Sequence, residues 1–241
     1  MNTLGEIPKY LSRWDKLKHR VFDGDPLHKD LELYNDGRIT VFYAPFGSDF
    51  NLRAFKKIKI LMVGLTPGLT QVRAKADEWF TKSKEQDFDS VSFSGSMRIN
   101  LVSMLDEIGI PQALGIPTSA DLFLSRCAHL ADSTSLLRYP VFKRGQNYTG
   151  HGPSVDSHTF LTKMVDEIFK PLVDELPPDS LVVPMGKAVE AQIRRLAAIE
   201  PRLGAQSLLG FPHPSGANGS RKATFSANRA RLKKQVREIL H

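Results

Sequence analysis

Residues 58–68 read IKILMVGLTPG: six mostly apolar residues, Ile58 to Val63, run into a Gly-Leu-Thr-Pro-Gly turn. A short apolar run bounded by turn residues predicts a strand buried on both faces. Pro67 fixes its own φ, while Gly64 and Gly68 let other atoms approach the backbone closely. The strand therefore ends in a tight turn that either reverses the chain or holds something. SLVVPMG (residues 180–186) repeats the pattern, and KAVEAQIRRLAAI follows it at helical spacing. Strands alternating with helices predict an α/β fold with both sheet faces covered.

The rest of the chain extends that frame. RITVFYAPF (38–46) is strand-like, and KADEWFTKSKEQDFDS (75–90) reads as a loop or short helix. SMRINLVSMLDEIGI (96–110) predicts a helix with Ile99, Leu101, Val102, Leu105 and Ile108 inward, ended by Gly109. DLFLSRCAHL (121–130) is the second core strand expected, and QSLLGFPHPSG (206–216) the fourth. Between them, ADSTSLLRYPVFKRGQNYTGHGPSV (131–155) has the Pro, Gly, Asn and Ser content of a surface excursion. Helical spacing returns over 159–176, stops at Pro177 and Pro178, and closes the chain in a basic helix over 225–240. Ile7, Tyr10, Leu11, Trp14, Leu17 and Val21 predict an N-terminal amphipathic helix. The expectation is one domain over 1–241, with 1–35 as an N-terminal helical extension. It is a three-layer α/β/α sandwich with a short, mainly parallel central sheet. In such folds ligands sit beyond the carboxyl ends of the strands. There GLTPG, the loop after the second strand, the Gly186 turn and HPSG would meet.

Composition sets limits. The 241 residues carry 33 Lys and Arg against 26 Asp and Glu, a net +7, which favours polyanionic partners. The single cysteine, Cys127, excludes an internal disulfide, a four-cysteine zinc site and an iron–sulfur cluster. The N-terminus lacks an apolar signal core, and no stretch has the roughly 18 apolar residues a membrane span needs. A reducing cytoplasm is the compartment expected, with no membrane partner, no metal and no cofactor.

GLTPG (64–68) after the first buried strand, followed by HPSG (213–216) after the last, resembles the uracil-DNA glycosylase superfamily. VSFSG (91–95) is similar to the family segment whose ring stacks on a flipped base, and SLVVPMGKAVEA (180–191) to its strand–Gly–Lys–helix unit. The likeness covers most of the chain from about residue 58 onward. It implies a DNA glycosylase that excises uracil or another damaged base from single- or double-stranded DNA. A stacked base must be extruded before its N-glycosidic bond can be reached. Breaking that bond puts negative charge on the departing base and positive charge on the sugar, and both must be stabilised.

The resemblance assigns roles by position. His213 would donate a hydrogen bond to the base oxygen that gains charge. Phe93 would stack on the base, with Gly64, Leu65, Pro67 and Gly68 forming the turn beneath it. Ser215, Gly216, Ala217 and Asn218 would probe the DNA, and Arg221 and Lys222 would meet phosphates. Two positions depart from the family pattern. Thr66 stands where an acidic or amide residue is usual; its hydroxyl is too weak an acid for general base chemistry, so it would hold a water or a backbone group. The carboxylate would then be Asp132, just past the second strand. That strand ends near Ser125 rather than in the usual asparagine, and Asn147 could supply the amide from the long loop. Two other classes stay open: a damaged-base or abasic-site binding protein without turnover, and an enzyme acting on a free nucleotide or other small anion.

Overall fold

The computed structural model describes residues 12–14, 27–45, 57–81, 93, 95–124 and 126–240. In chain order the strands are β1 (Glu32–Asn35), β2 (Thr40–Phe42) and β3 (Ile60–Gly64). The helices α1 (Leu69–Thr81), α2 (Ser96–Glu107) and α3 (Ile110–Leu114) follow. Next come β4 (Ala131–Ser135), β5 (Val141–Lys143) and β6 (Gln146–Asn147). Helix α4 (Thr159–Met164) runs through a π-helical segment, Val165–Phe169, into α5 (Lys170–Asp174). The chain closes with β7 (Leu181–Pro184), α6 (Lys187–Ala197), α7 (Pro201–Ala205) and α8 (Arg221–Leu240). These elements divide into two compact units. The first comprises Met1–Phe50, Leu65–Glu85 and Ser135–Phe169; the second comprises Asn51–Gly64, Gln86–Thr134 and Lys170–His241.

The first unit holds a four-stranded antiparallel sheet in the order β1-β2-β5-β6. The β1–β2 turn is fixed by Asp36, whose Oδ1 accepts hydrogen bonds from the backbone N–H groups of Arg38 (2.9 Å) and Ile39 (3.0 Å). Its Oδ2 takes the Arg38 guanidinium and lies 3.1 Å from Nε2 of the buried His158. Burial raises the Asp36 pKa, but these hydrogen bonds outweigh it and hold the carboxyl well below the usual range. Most of the stretch expected as a surface excursion is core here. Leu136, Leu137, Tyr139, Val141, Phe142, Tyr148 and Val155 are all buried. Gly145, at φ +76°, marks the hairpin turn between β5 and β6, strands of three and two residues, too short to show periodicity. Trp14 is fully buried and meets the Tyr43 ring edge-on at 6.5 Å; apart from Ser12 and Arg13, the other residues of the expected N-terminal helix lie outside those described.

The second unit is built on the sheet β4-β3-β7, with β3 and β7 parallel, Ile60 opposite Leu181 and Val63 opposite Pro184. All of Ile60–Val63 and Leu181–Pro184 are buried, as an uninterrupted apolar run requires of a strand covered on both faces. Alternate residues Ile60, Met62, Leu181 and Val183 join Leu101, Met104 and Leu105 of α2 and Phe225, Leu232 and Val236 of α8 in one apolar core. Each such side chain contributes about 1.5–3 kcal/mol when fully removed from water. Helix α6 buries Val189, Ile193 and Leu196 at i, i+4 and i+7, and its largely buried Glu190 pairs with the exposed Arg194 and accepts from Gly210 N–H at 2.7 Å. The chain thus has the α/β class expected.

Three local expectations fail. The described residues of the expected strand fall in two 3₁₀ turns, Ser119–Phe123 and Ala128–Leu130, and the segment between them, rather than in a strand. Thr118 caps the first turn through Ala120 N–H, and Asp121 is tied to Arg126, which closes the segment on itself. The true second core strand is the next five residues. The fourth strand shrinks to a single parallel bridge between Val182 and Ser207, because the backbone turns at Gly210 with φ +88°. Ile99, expected inward, is 71 % exposed.

Candidate active site

In the first unit, Leu65–Gly68 leads into α1. The Thr66 hydroxyl donates to the Tyr139 carbonyl (3.0 Å) and accepts from the Val141 N–H (3.0 Å), so both of these interactions go to backbone. Leu65 O accepts from Leu137 N–H at 2.8 Å, and Pro67 is buried. Asn147, at the end of the exposed hairpin, does meet the motif: its Oδ1 accepts from Leu69 N–H at 2.9 Å, at the start of α1. A Cβ at Gly68 would lie 3.3 Å from Asn147 Nδ2, so glycine is what allows this approach. With Oδ1 engaged, the amide presents N–H donors; among the described residues these have no partner.

In the second unit the carboxyl ends of β3, β4 and β7 come together with HPSG. A Cβ on Gly64 would make ordinary contact with the Thr134 carbonyl at 3.8 Å. Met185 N–H donates to Val63 O (2.9 Å), and Gly186 N–H donates to Phe211 O (3.1 Å). Gly186 has φ +92°, and a Cβ there would stand 3.1 Å from that of His213. Only glycine meets both demands. His213 itself is half-buried. Its Nδ1 accepts from Ser215 N–H at 3.2 Å, which makes Nε2 the protonated nitrogen of the neutral ring. Burial lowers its pKa, so that neutral form persists below the ordinary histidine range. Among the described residues Nε2 has no hydrogen-bond partner.

The loop carrying His213 is fastened on several sides. Asn218 Nδ2 donates to His213 O (3.0 Å), Ala217 N–H to Ser215 Oγ (3.2 Å) and Asn100 Nδ2, from α2, to Pro214 O (3.0 Å). Arg221, expected on phosphate, gives NH1 to the carbonyls of Pro214 (3.3 Å) and Ser215 (2.7 Å). It positions the loop. Gly216, Ala217 and Lys222 are exposed. Asn100 went unseen in the sequence because its partner is a backbone atom 114 positions away, and an asparagine inside a helix carries no visible mark of that.

The remaining expected residues divide. Asp132 lies within β4 rather than past a strand, is 7 % exposed, and accepts from Ser133 N–H at 2.6 Å. Thr134, two residues on and so on the same face, is buried, and among the described residues its hydroxyl has no hydrogen-bond partner. Phe93 is 9 % exposed within the apolar core of its unit, at φ +53°, a conformation that non-glycine residues seldom adopt. Ser125 lies outside the described residues. Among the described residues no group of three or more His, Cys, Asp or Glu is placed to hold a metal ion, and no helix is long and apolar enough to cross a membrane.

No family model matches the chain. It aligns with a Bacillus subtilis (strain 168) protein described as "Uncharacterized protein YoxB", 34% identical over 225 residues that span 89% of this chain and 86% of the other.

Proposed function

The chain belongs to the family of Bacillus subtilis YoxB, and for it we propose a monofunctional DNA glycosylase of the uracil-DNA glycosylase superfamily, acting on uracil or another deaminated or damaged base. The observation that carries this is the state of His213: a neutral imidazole, its Nδ1 occupied by Ser215 N–H and its Nε2–H without a partner among the described residues, held in a loop at the strand ends. An extruded base bearing a carbonyl oxygen would accept that hydrogen. As the C1′–N bond breaks, its electron pair passes to the base and the oxygen gains charge. Nε2–H then stabilises the departing anion, and water adds to C1′ with loss of a proton. One preorganised donor of this kind is worth about 2.7–4 kcal/mol of barrier. Asp132 is the carboxylate proposed to oppose the sugar's positive charge. The three-layer arrangement belongs to the same proposal, supported by α2 and α8 packing on one side of β3 and β7. So do DNA as partner and a cytoplasmic setting.

The test is incubation with uracil-containing single- and double-stranded oligonucleotides followed by hot alkali. Strand cleavage that vanishes in His213→Ala is expected. One observation favours a second reading, a damaged-base or abasic-site binding protein without turnover. The Thr66 hydroxyl is engaged with two backbone groups, so the position usually acidic or amide in the family has no group committed to water. A retained gel shift with no cleavage would select it.

A further inference from the structure

Helix α8 bears Lys222, Ser226, Arg229, Lys233 and Arg237 at i, i+4, i+7, i+11 and i+15, all exposed. At 3.6 residues per turn they fall within an arc of about 80°, in a straight stripe about 22 Å long. Among the described residues one acidic side chain touches it: Glu107 pairs with Arg229 at 3.3 Å, both side chains being about half exposed. Such a pair holds little free energy. Glu238 is drawn to Lys234 on the adjoining stripe. Among the described residues Lys222, Lys233 and Arg237 have no acidic partner. Nor does the helix itself account for the stripe: its first turn contains no acid and begins with two cations, Arg221 and Lys222, against the sense of the helix dipole.

The stripe begins nine residues after His213, where Arg221 fastens the histidine loop. We propose that it binds the phosphate backbone of duplex DNA continuing past that loop. This rests on the proposed reading of the loop as a DNA contact and adds the duplex as the preferred form. A lipid surface fits less well. The apolar face of α8 (Phe225, Leu232, Val236) is already buried in the core, and the stripe between its cations is Ser226 rather than an apolar anchor. The four-residue steps from Arg229 to Arg237 advance about 6 Å each along the helix. That is close to the rise along the duplex axis between every second phosphate of one strand, about 7 Å.

The test uses the full chain and a short undamaged duplex, so no excision step enters. Affinity is followed by fluorescence anisotropy as salt is raised. Replacing Lys233 and Arg237 together by Gln should make the slope of log affinity against log salt shallower by about 1.8, two cations at about 0.9 each. The charge-preserving double variant, Lys233→Arg with Arg237→Lys, should keep the original slope. An unchanged slope in the Gln variant overturns the proposal. So does tighter binding of the unaltered protein to phosphatidylserine vesicles than to the duplex. A protein that shows the slope change yet cleaves no uracil-containing strand supports the stripe and sinks only the enzyme. Excision with an unchanged slope does the reverse.

Discussion

The two motif loops look alike in sequence, each a short Gly- and Pro-containing turn after a buried strand, yet they hold their polar side chains in opposite ways. In GLTPG the Thr66 hydroxyl joins Tyr139 O to Val141 N–H and so knits the first unit's own backbone. In HPSG other groups hold the loop: Ser215 N–H binds the imidazole, the side chains of Asn218, Asn100 and Arg221 donate to loop carbonyls, and among the described residues one imidazole nitrogen is left over. The same grammar thus yields a structural staple in one place and a poised donor in the other. A polar residue's role follows from which of its lone pairs and protons remain after folding.

That contrast can be broken. His213→Ala should reduce excision by about 10²–10³-fold while leaving the fold intact, measured by alkali-cleavage kinetics beside a denaturant melt. Thr66→Val should do the opposite. It orphans a carbonyl and an N–H and should lower stability by about 2–3 kcal/mol in urea, with catalysis per folded molecule little changed. A stable Thr66→Val protein that has lost turnover would erase the distinction. Asn147→Ala removes the acceptor for Leu69 N–H and should cost about 1 kcal/mol.

The smallest effect concerns protons. Burial sets the folded His213 pKa below its unfolded value of about 6.5, so the unfolded chain binds more protons. The stability tied to the neutral ring is complete above that value. It is lost as pH falls from there toward the folded pKa. His213→Gln should flatten that part of the stability–pH curve, and excision by the unaltered protein should persist somewhat below pH about 6.5.

Legibility tracked the length and purity of each pattern. β3 and β7 were readable because Ile60–Val63 and Leu181–Val183 are unbroken apolar runs, and α6 because Val189, Ile193 and Leu196 keep one face. The run at 121–130 holds three consecutive apolar residues, Leu122–Leu124, but Thr118 and the Asp121–Arg126 pair favour 3₁₀ turns, and the displaced strand carried Asp132 and Thr134 with it. The antiparallel sheet of the first unit was hidden in strands of two to four residues. His213, Gly186, Gly68 and Asn147 were visible as candidates. What each side chain does was not, since Arg221 on carbonyls and Arg221 on phosphate are the same letter.

Pro214 O receives hydrogens from both Asn100 and Arg221, which belong to two different helices. A loop anchored in this fashion has surrendered its freedom before any visitor arrives. A nucleotide of the proposed kind would meet this loop already in place.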